Sequence, residues 1–294
     1  MASPKLNLLD HPLLFEWPER DAPSAWKEHI PFAFFVVSAM RPGVIVELGT
    51  HFGDSYCAFC QAVRRLNLTA RCYAVDTWRG DEHAGFYGAD VLLDLQKHHD
   101  PRYGTFSRLV QSTFDEALAH FPDRSIDLLH IDGLHTYEAV RHDFEAWLPK
   151  LSDRGVVLFH DTNVKERGFG VYRLWEEITI DRPHFEFLHG HGLGVLATGP
   201  AVPPDLCGLF ESRPEEIPLI REAFSQLGRR LSSGYAKDDE LRELSRQLAA
   251  RDDTIRDLSR RLDRITRTWV WRGLSRARRV LRASTRRAAP RSSS

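Results

Sequence analysis

Between residues 30 and 200 short apolar runs alternate with amphipathic stretches. The runs Val44–Leu48, Cys72–Asp76, Arg108–Gln111, Ile126–Asp132 and Val156–His160 lack clean alternation, as strands buried on both faces do. Two more, Phe185–Leu188 and Gly194–Ala197, flank His189-Gly190-His191-Gly192, a link short enough for a hairpin. The spacing predicts helices over Ser55–Leu66, Ala89–His99, Phe114–His120, Tyr137–Leu148 and Val171–Ile178. This rhythm implies an α/β fold: an open, mostly parallel sheet with helices on both sides, ending in an antiparallel hairpin.

Beyond the sheet the period changes. Leu241, Leu244, Leu248, Ile255, Leu258, Leu262 and Ile265 fall on a and d positions of a heptad, broken by Arg251, with Trp269 next in series. Residues 236–265 carry eight basic and eight acidic side chains on the other faces. The pattern predicts a C-terminal coiled-coil helix and a homo-oligomer held by it, or a lone amphipathic helix packed on the body. The chain divides accordingly into an N-terminal extension or lid (1–29), the α/β domain (30–200), a linker with a short helix (201–235), the coiled coil (236–267) and a tail (268–294).

Charge adds a partner to this picture. The formal net charge of −1 conceals nine Arg and no acid from Thr266 to Ser294, leaving −10 on residues 1–265. As a helix from Trp269 to Arg286, the tail would line Val270, Leu274, Ala277 and Leu281 against Arg272, Arg276, Arg279, Arg282 and Arg286. Such a helix suits an anionic membrane surface or an acidic partner; a disordered end is the alternative. The acidic body argues against nucleic acid.

Composition is that of a globular protein, with 42% hydrophobic and 28% charged residues. The apolar run Ile30–Met40 is half a membrane span, and the N-terminus lacks the apolar core of a signal peptide. Cys57, Cys60, Cys72 and Cys207 are too few for a disulfide scaffold, and the Cys57-x-x-Cys60 pair has no second pair at zinc spacing. Buried thiols in a cytoplasmic protein, peripheral to the inner membrane surface if the tail binds lipid, are the expectation.

Candidate chemistry begins after the first strand. Val44–Leu48 runs into Gly49-Thr50-His51-Phe52-Gly53-Asp54-Ser55, where glycines admit a ligand close to the backbone and the next helix offers free N–H groups. The spacing is Gly-x-x-x-Gly, not the Gly-x-Gly-x-x-Gly of dinucleotide enzymes. Glu47 would repel a pyrophosphate but suits the cationic half of S-adenosylmethionine. Asp76, ending the second strand, is placed to bind both ribose hydroxyls or to cap a turn. Ser112 lies where an adenine edge could be read, or caps the following helix. A purely structural turn would also account for the glycine loop.

Taken together, Glu-Leu-Gly-Thr-His-Phe-Gly-Asp-Ser (47–55), Val-Asp-Thr-Trp (75–78), His-Ile-Asp-Gly-Leu-His-Thr-Tyr-Glu-Ala-Val (130–140) and Leu-Phe-His-Asp-Thr (158–162) resemble the class I S-adenosylmethionine-dependent methyltransferases. The nearest branch is that of small domains associated with glycan and surface-polysaccharide synthesis. The resemblance covers residues 30–200. It implies a Rossmann-like seven-stranded sheet, with Glu47, Gly49, Thr50, Gly53, Ser55, Asp76, Thr77, Trp78 and Ser112 toward the cofactor.

Asp132 and Asp161 end neighbouring strands, at the edge where open sheets bind ligands. Two carboxylates there could hold Mg²⁺, and His135, three residues after Asp132, could take a proton. The motifs are also similar to those of the metal-dependent sugar O-methyltransferases of macrolide biosynthesis. By position, that likeness makes Asp132 and Asp161 metal ligands and His135 the base. Thr162 departs from the acid or amide found there in relatives. Alternatively, the two acids cap helices or bind the amino-acid end of the cofactor, and His135 is a structural loop residue. The expected activity is O-methylation of a sugar hydroxyl on a small-molecule or glycan acceptor. A nicotinamide-dependent oxidoreductase and an idle coiled-coil scaffold are the competing readings.

Overall fold

The structure, a computed structural model, describes residues 6–267 and 272–279. In chain order its helices are α1 (Ile30–Met40), α2 (Asp54–Arg65), α3 (Ala89–Tyr103), α4 (Phe114–Leu118), α5 (Tyr137–Trp147), α6 (Val171–Ile178), α7 (Pro204–Phe210) and α8 (Ile217–Arg267). The strands are β1 (Val44–Leu48), β2 (Arg71–Asp76), β3 (Gly80–Asp81), β4 (Gly85–Phe86), β5 (Ser107–Gln111), β6 (Ile126–Ile131), β7 (Leu151–His160), β8 (His184–Phe187) and β9 (Leu193–Ala197).

Seven strands form one sheet in the order β5-β2-β1-β6-β7-β9-β8. The β1–β2, β1–β6, β2–β5 and β6–β7 pairs are parallel, and β9 runs antiparallel to both β7 and β8. The Rossmann-like sheet with its antiparallel end is therefore as expected. Leu48 lies level with Val75 and with Ile131, and Ile131 with Phe159. That register brings the residues after β1, β2, β6 and β7 to one edge, and it is what positions the site.

Packing explains where the sequence pattern and the structure part. The run Ile30–Met40 is neither strand nor span: with Pro31 in its first turn it forms α1, ten of whose eleven residues are buried. Uniform burial removes the polar face that makes a helix legible. Phe32 and Phe35 of α1 pack on Phe224 at ring-centroid distances of 5.5 and 5.6 Å, and Phe32 on Phe187 at 4.8 Å. The N-terminal stretch is pinned rather than loose, for Leu13, Leu14 and Trp26 are buried and Arg20 pairs with Asp94 at 2.8 Å.

Two compact units divide after Gly234. Within the first, the stretch expected to be a linker holds α7 and the opening turns of α8, with Leu206, Leu209, Phe224 and Leu231 buried. In the second unit, α8 continues to Arg267 and residues 272–279 are helical. The remainder of the predicted basic tail, including Trp269, Val270, Leu281, Arg282 and Arg286, lies outside the described residues. No helix among the described residues is long and apolar enough to cross a membrane.

Candidate functional site

The loop from β1 to α2 is built on a contact that only glycine permits. Gly49 has φ +84°, and a Cβ there would lie 2.1 Å from the carbonyl oxygen of Asp132. The backbones after β1 and β6 can thus touch. Asp76 then braces the loop: its Oδ2 accepts the N–H groups of Thr50 and His51, both at 2.8 Å, and its Oδ1 that of Trp78 at 2.7 Å. Trp78 returns the tie, its Nε1 donating to His51 O at 3.0 Å. His51 and Trp78 both sit at φ +49°, sparsely populated ground for such residues and a mark of a loop held in place by its surroundings.

A cavity of about 1090 Å³ opens above this edge. Nine of the residues singled out in the sequence line it: Gly49, Thr50, Gly53, Ser55, Asp76, Thr77, Asp132, His135 and Asp161. Glu47, Trp78 and Ser112 do not line it, and the reasons are local. Glu47 pairs in register with His130, so both side chains share one face of the sheet, where Glu47 Oε2 and His130 Nδ1 lie 2.8 Å apart. Burial raises the Glu47 carboxyl above its ordinary range against the opposing pull of His130. Trp26 Nε1 donates to His130 Nε2 at 3.0 Å, completing a buried chain of polar groups. Trp78 serves the loop as described. Ser112 is displaced by its neighbour, since Thr113 forms a capping box with Glu116 and, with Phe114, reaches the cavity wall.

The β6–β7 side of the cavity is held by side chains instead. His135 Nε2 lies 2.9 Å from Asp161 Oδ2 and 3.3 Å from Asp132 Oδ1. His160 Nδ1 lies 3.2 Å from Asp132 Oδ1 and 3.4 Å from Asp161 Oδ2, while its Nε2 faces the Gly190 carbonyl at 3.1 Å. His191 Nδ1 approaches Asp161 Oδ1 at 3.2 Å. Burial alone would lower His135, but its bonds to Asp132 and Asp161 prevail and lift it to about 9. His160 is likewise pulled down by burial and lifted, through the charges of Asp132 and Asp161, to about 10. Burial works against the charged form of both acids too, yet the facing histidines hold Asp132 and Asp161 below the ordinary carboxylate range.

His160 and His191 are not among the site residues the sequence singles out. His160 adjoins Asp161 in the motif, which was the available signal; His191 arrives only because the β8–β9 turn folds back over β7. A roof of rings covers His135. Phe169 stacks on it at 4.6 Å and 7°, and His83, from the β3–β4 hairpin, stacks on Phe169 at 4.5 Å and 18°. Arg167 ties the two loops by donating to His83 O at 3.1 Å.

Asp132, His135 and Asp161 each offer an atom within 4.8 Å of the others, a donor set that fits a divalent ion. Asp161 Oδ1, 3.2 Å from His191 Nδ1, is also buried without a well-formed hydrogen bond. Thr162, the point of departure from relatives, is buried and off the cavity wall. Cys57, Cys60 and Cys72 are buried free thiols, as expected of apolar packing groups.

Comparison with known proteins adds the following. Residues 46–162 match the family model described as a methyltransferase domain. An uncharacterized protein, y4gI of Sinorhizobium fredii (strain NBRC 101917 / NGR234), is 52% identical over 189 residues, covering 64% of this chain. The chain spans only 21% of the length of that relative. Among solved structures, a methyltransferase from Geobacter sulfurreducens is similar at 16% identity and TM-score 0.45, over 61% of this chain and 80% of its own. The SAH-bound methyltransferase PaMTH1 of Podospora anserina is similar at 14% identity and TM-score 0.46, over 67% and 90%.

Proposed function

We propose that the chain, whose residues 46–162 match a methyltransferase-domain model, transfers the methyl group of S-adenosylmethionine to a hydroxyl oxygen, on a sugar of a glycan or glycoconjugate. The observation that carries this reading is the convergence of His135 with Asp132 and Asp161 on the cavity that Gly49, Gly53 and Asp76 also line. Asp76 Oδ2 is filled by two backbone donors, and Oδ1, which meets one, keeps a lone pair for a ribose hydroxyl. A volume of about 1090 Å³ leaves room for cofactor and acceptor together. On the acceptor side Asn163, Lys165, His83 and His191 present polar groups suited to a polyhydroxylated ligand.

The acceptor oxygen attacks the methyl carbon, the carbon–sulfur bond breaks, and its electron pair stays on sulfur, leaving S-adenosylhomocysteine. The hydroxyl proton passes to neutral His135. Asp132 and Asp161 fix the ring and stabilise its charged form once the proton arrives, the role carboxylates play beside a general base. Near neutral pH those carboxylates keep most of the ring protonated, given its position near 9. A divalent cation such as Mg²⁺, held by Asp132 and Asp161, would supply positive charge at the acceptor oxygen and compete with that proton.

The test is methyl transfer from labelled S-adenosylmethionine to a panel of sugar acceptors by the full chain, with Mg²⁺ or with chelator. The wild type should release S-adenosylhomocysteine in an acceptor-dependent way, and His135→Gln should be slower by about 100-fold or more. An equal rate in the variant would remove the base, and no transfer to any hydroxyl acceptor would remove the reading.

A further inference from the structure

We propose that the stretch 235–267 of α8 is one strand of a two-stranded coiled coil whose other strand is a second copy of this chain. Leu241, Leu244, Leu248, Ile255, Leu258 and Leu262 follow one another at steps of three and four, with Arg251 completing the series, and each of the six exposes 53–63% of its surface. Such steps keep a seam in line only on helices wound about a common axis at 3.5 residues per turn.

The width of the seam identifies the partner. A helix that packs on a globular body needs an apolar face about three positions in seven wide, whereas two in seven suits a single helix like itself. Here Ser245, Gln247, Asp252, Thr254, Ser259 and Arg261 flank the seam, and all are polar. Several charges are engaged along the same helix: Arg246 with Glu243 at 3.4 Å, Arg256 with Asp253 and the flanking Arg261 with Asp257, each at 2.7 Å. No Gly or Pro interrupts the stretch 235–267.

Arg251 supplies the complementarity. It is the one inward position without an apolar side chain, and Asp252 follows it at the margin of the seam. In a parallel, in-register pair each copy brings Arg251 into the seam and Asp252 to its edge at the same level, so Arg251 of each can meet Asp252 of the other. A purely apolar partner would leave that guanidinium unanswered, at a cost typical of an unpaired buried charge. A single polar seam residue also fixes register at some loss of affinity. This assignment is independent of the methyl-transfer chemistry.

Sedimentation equilibrium of the full chain at micromolar concentration tests it. The wild type should run at twice the chain mass of 33.8 kDa, Leu248→Asp combined with Leu258→Asp at the single-chain mass, and Arg260→Glu on the outer face as the wild type. Because the double variant can lose its helix along with its partner, Arg251→Leu is the second probe. It should keep the dimer and lower its dissociation constant by about tenfold or more, since it completes the apolar seam. Any other wild-type mass, a dimer that survives the double substitution, or an unchanged dissociation constant in Arg251→Leu would overturn the proposal.

Discussion

The two halves of the cavity are held by different means. On the β1–β2 side the backbone does the holding: three N–H groups converge on Asp76, and Gly49 touches the Asp132 carbonyl. On the β6–β7 side, five titratable side chains hold one another: Asp132, His135, His160, Asp161 and His191. A cradle of backbone groups fixed by one carboxylate positions a ligand by shape and hydrogen bonding and has no proton to pass. A cluster of imidazoles and carboxylates can store and pass a proton. On the proposed function, the difference assigns cofactor binding to the first half and reaction to the second.

Substitutions should separate the halves. The largest effect belongs to His135→Gln, expected to lower turnover by about 10²–10⁴-fold while leaving S-adenosylhomocysteine affinity within a factor of about two; steady-state rates beside a binding titration check it. Next comes Asp76→Ala. It strands three backbone donors, each costing about 1–3 kcal/mol if left unpaired, and should weaken S-adenosylhomocysteine binding by tenfold or more, together with a lower melting temperature. A variant at Asp76 that slowed turnover at saturating cofactor without losing affinity would break the division.

A smaller effect lies in stability. Asp54, at the start of α2 on the cavity wall, is pushed up by burial to about 7 despite the nearby Lys27, and its Oδ2 has no hydrogen bond. Its folded carboxyl is thus raised above the ordinary 3.8, so the unfolded chain loses the proton first. Stability from this group is fullest below about pH 4 and declines as pH rises toward 7, then levels. Asp54→Asn should flatten that slope and stabilise the protein by about 1–3 kcal/mol at pH 8, the order of an unsatisfied buried polar group, as thermal melts across pH would report. Smallest of all, Phe169→Leu removes the ring stacked on His135 and should reduce turnover a few-fold, roughly the worth of one aromatic contact, with Phe169→Tyr restoring it.

Much of this was legible in the chain because buried parallel strands announce themselves as unbroken apolar runs. Val44–Leu48 and Val171–Ile178 are helix or strand as read, residue for residue. What was hidden depended on pairing across the fold. Nothing in β1 says that Glu47 stands beside His130, so an acid that looked ready for a cationic ligand is instead spent on an internal imidazole. Nothing in the glycine-rich turn says that His191 returns to Asp161. α1 was hidden for the opposite reason, since a helix buried all round has no polar stripe to betray its period. The proximity of Asp132 and His135 was readable because it is local, three residues apart in the loop after β6.

The account rests on the β1–β2 half being a cofactor cradle. Calorimetric titration of the full chain with S-adenosylhomocysteine, wild type beside Asp76→Ala and with NADH as control, tests this most directly. One site per chain for S-adenosylhomocysteine, weakened in the variant and blind to NADH, is the predicted result. No heat from S-adenosylhomocysteine, or a site that prefers NADH, would contradict it.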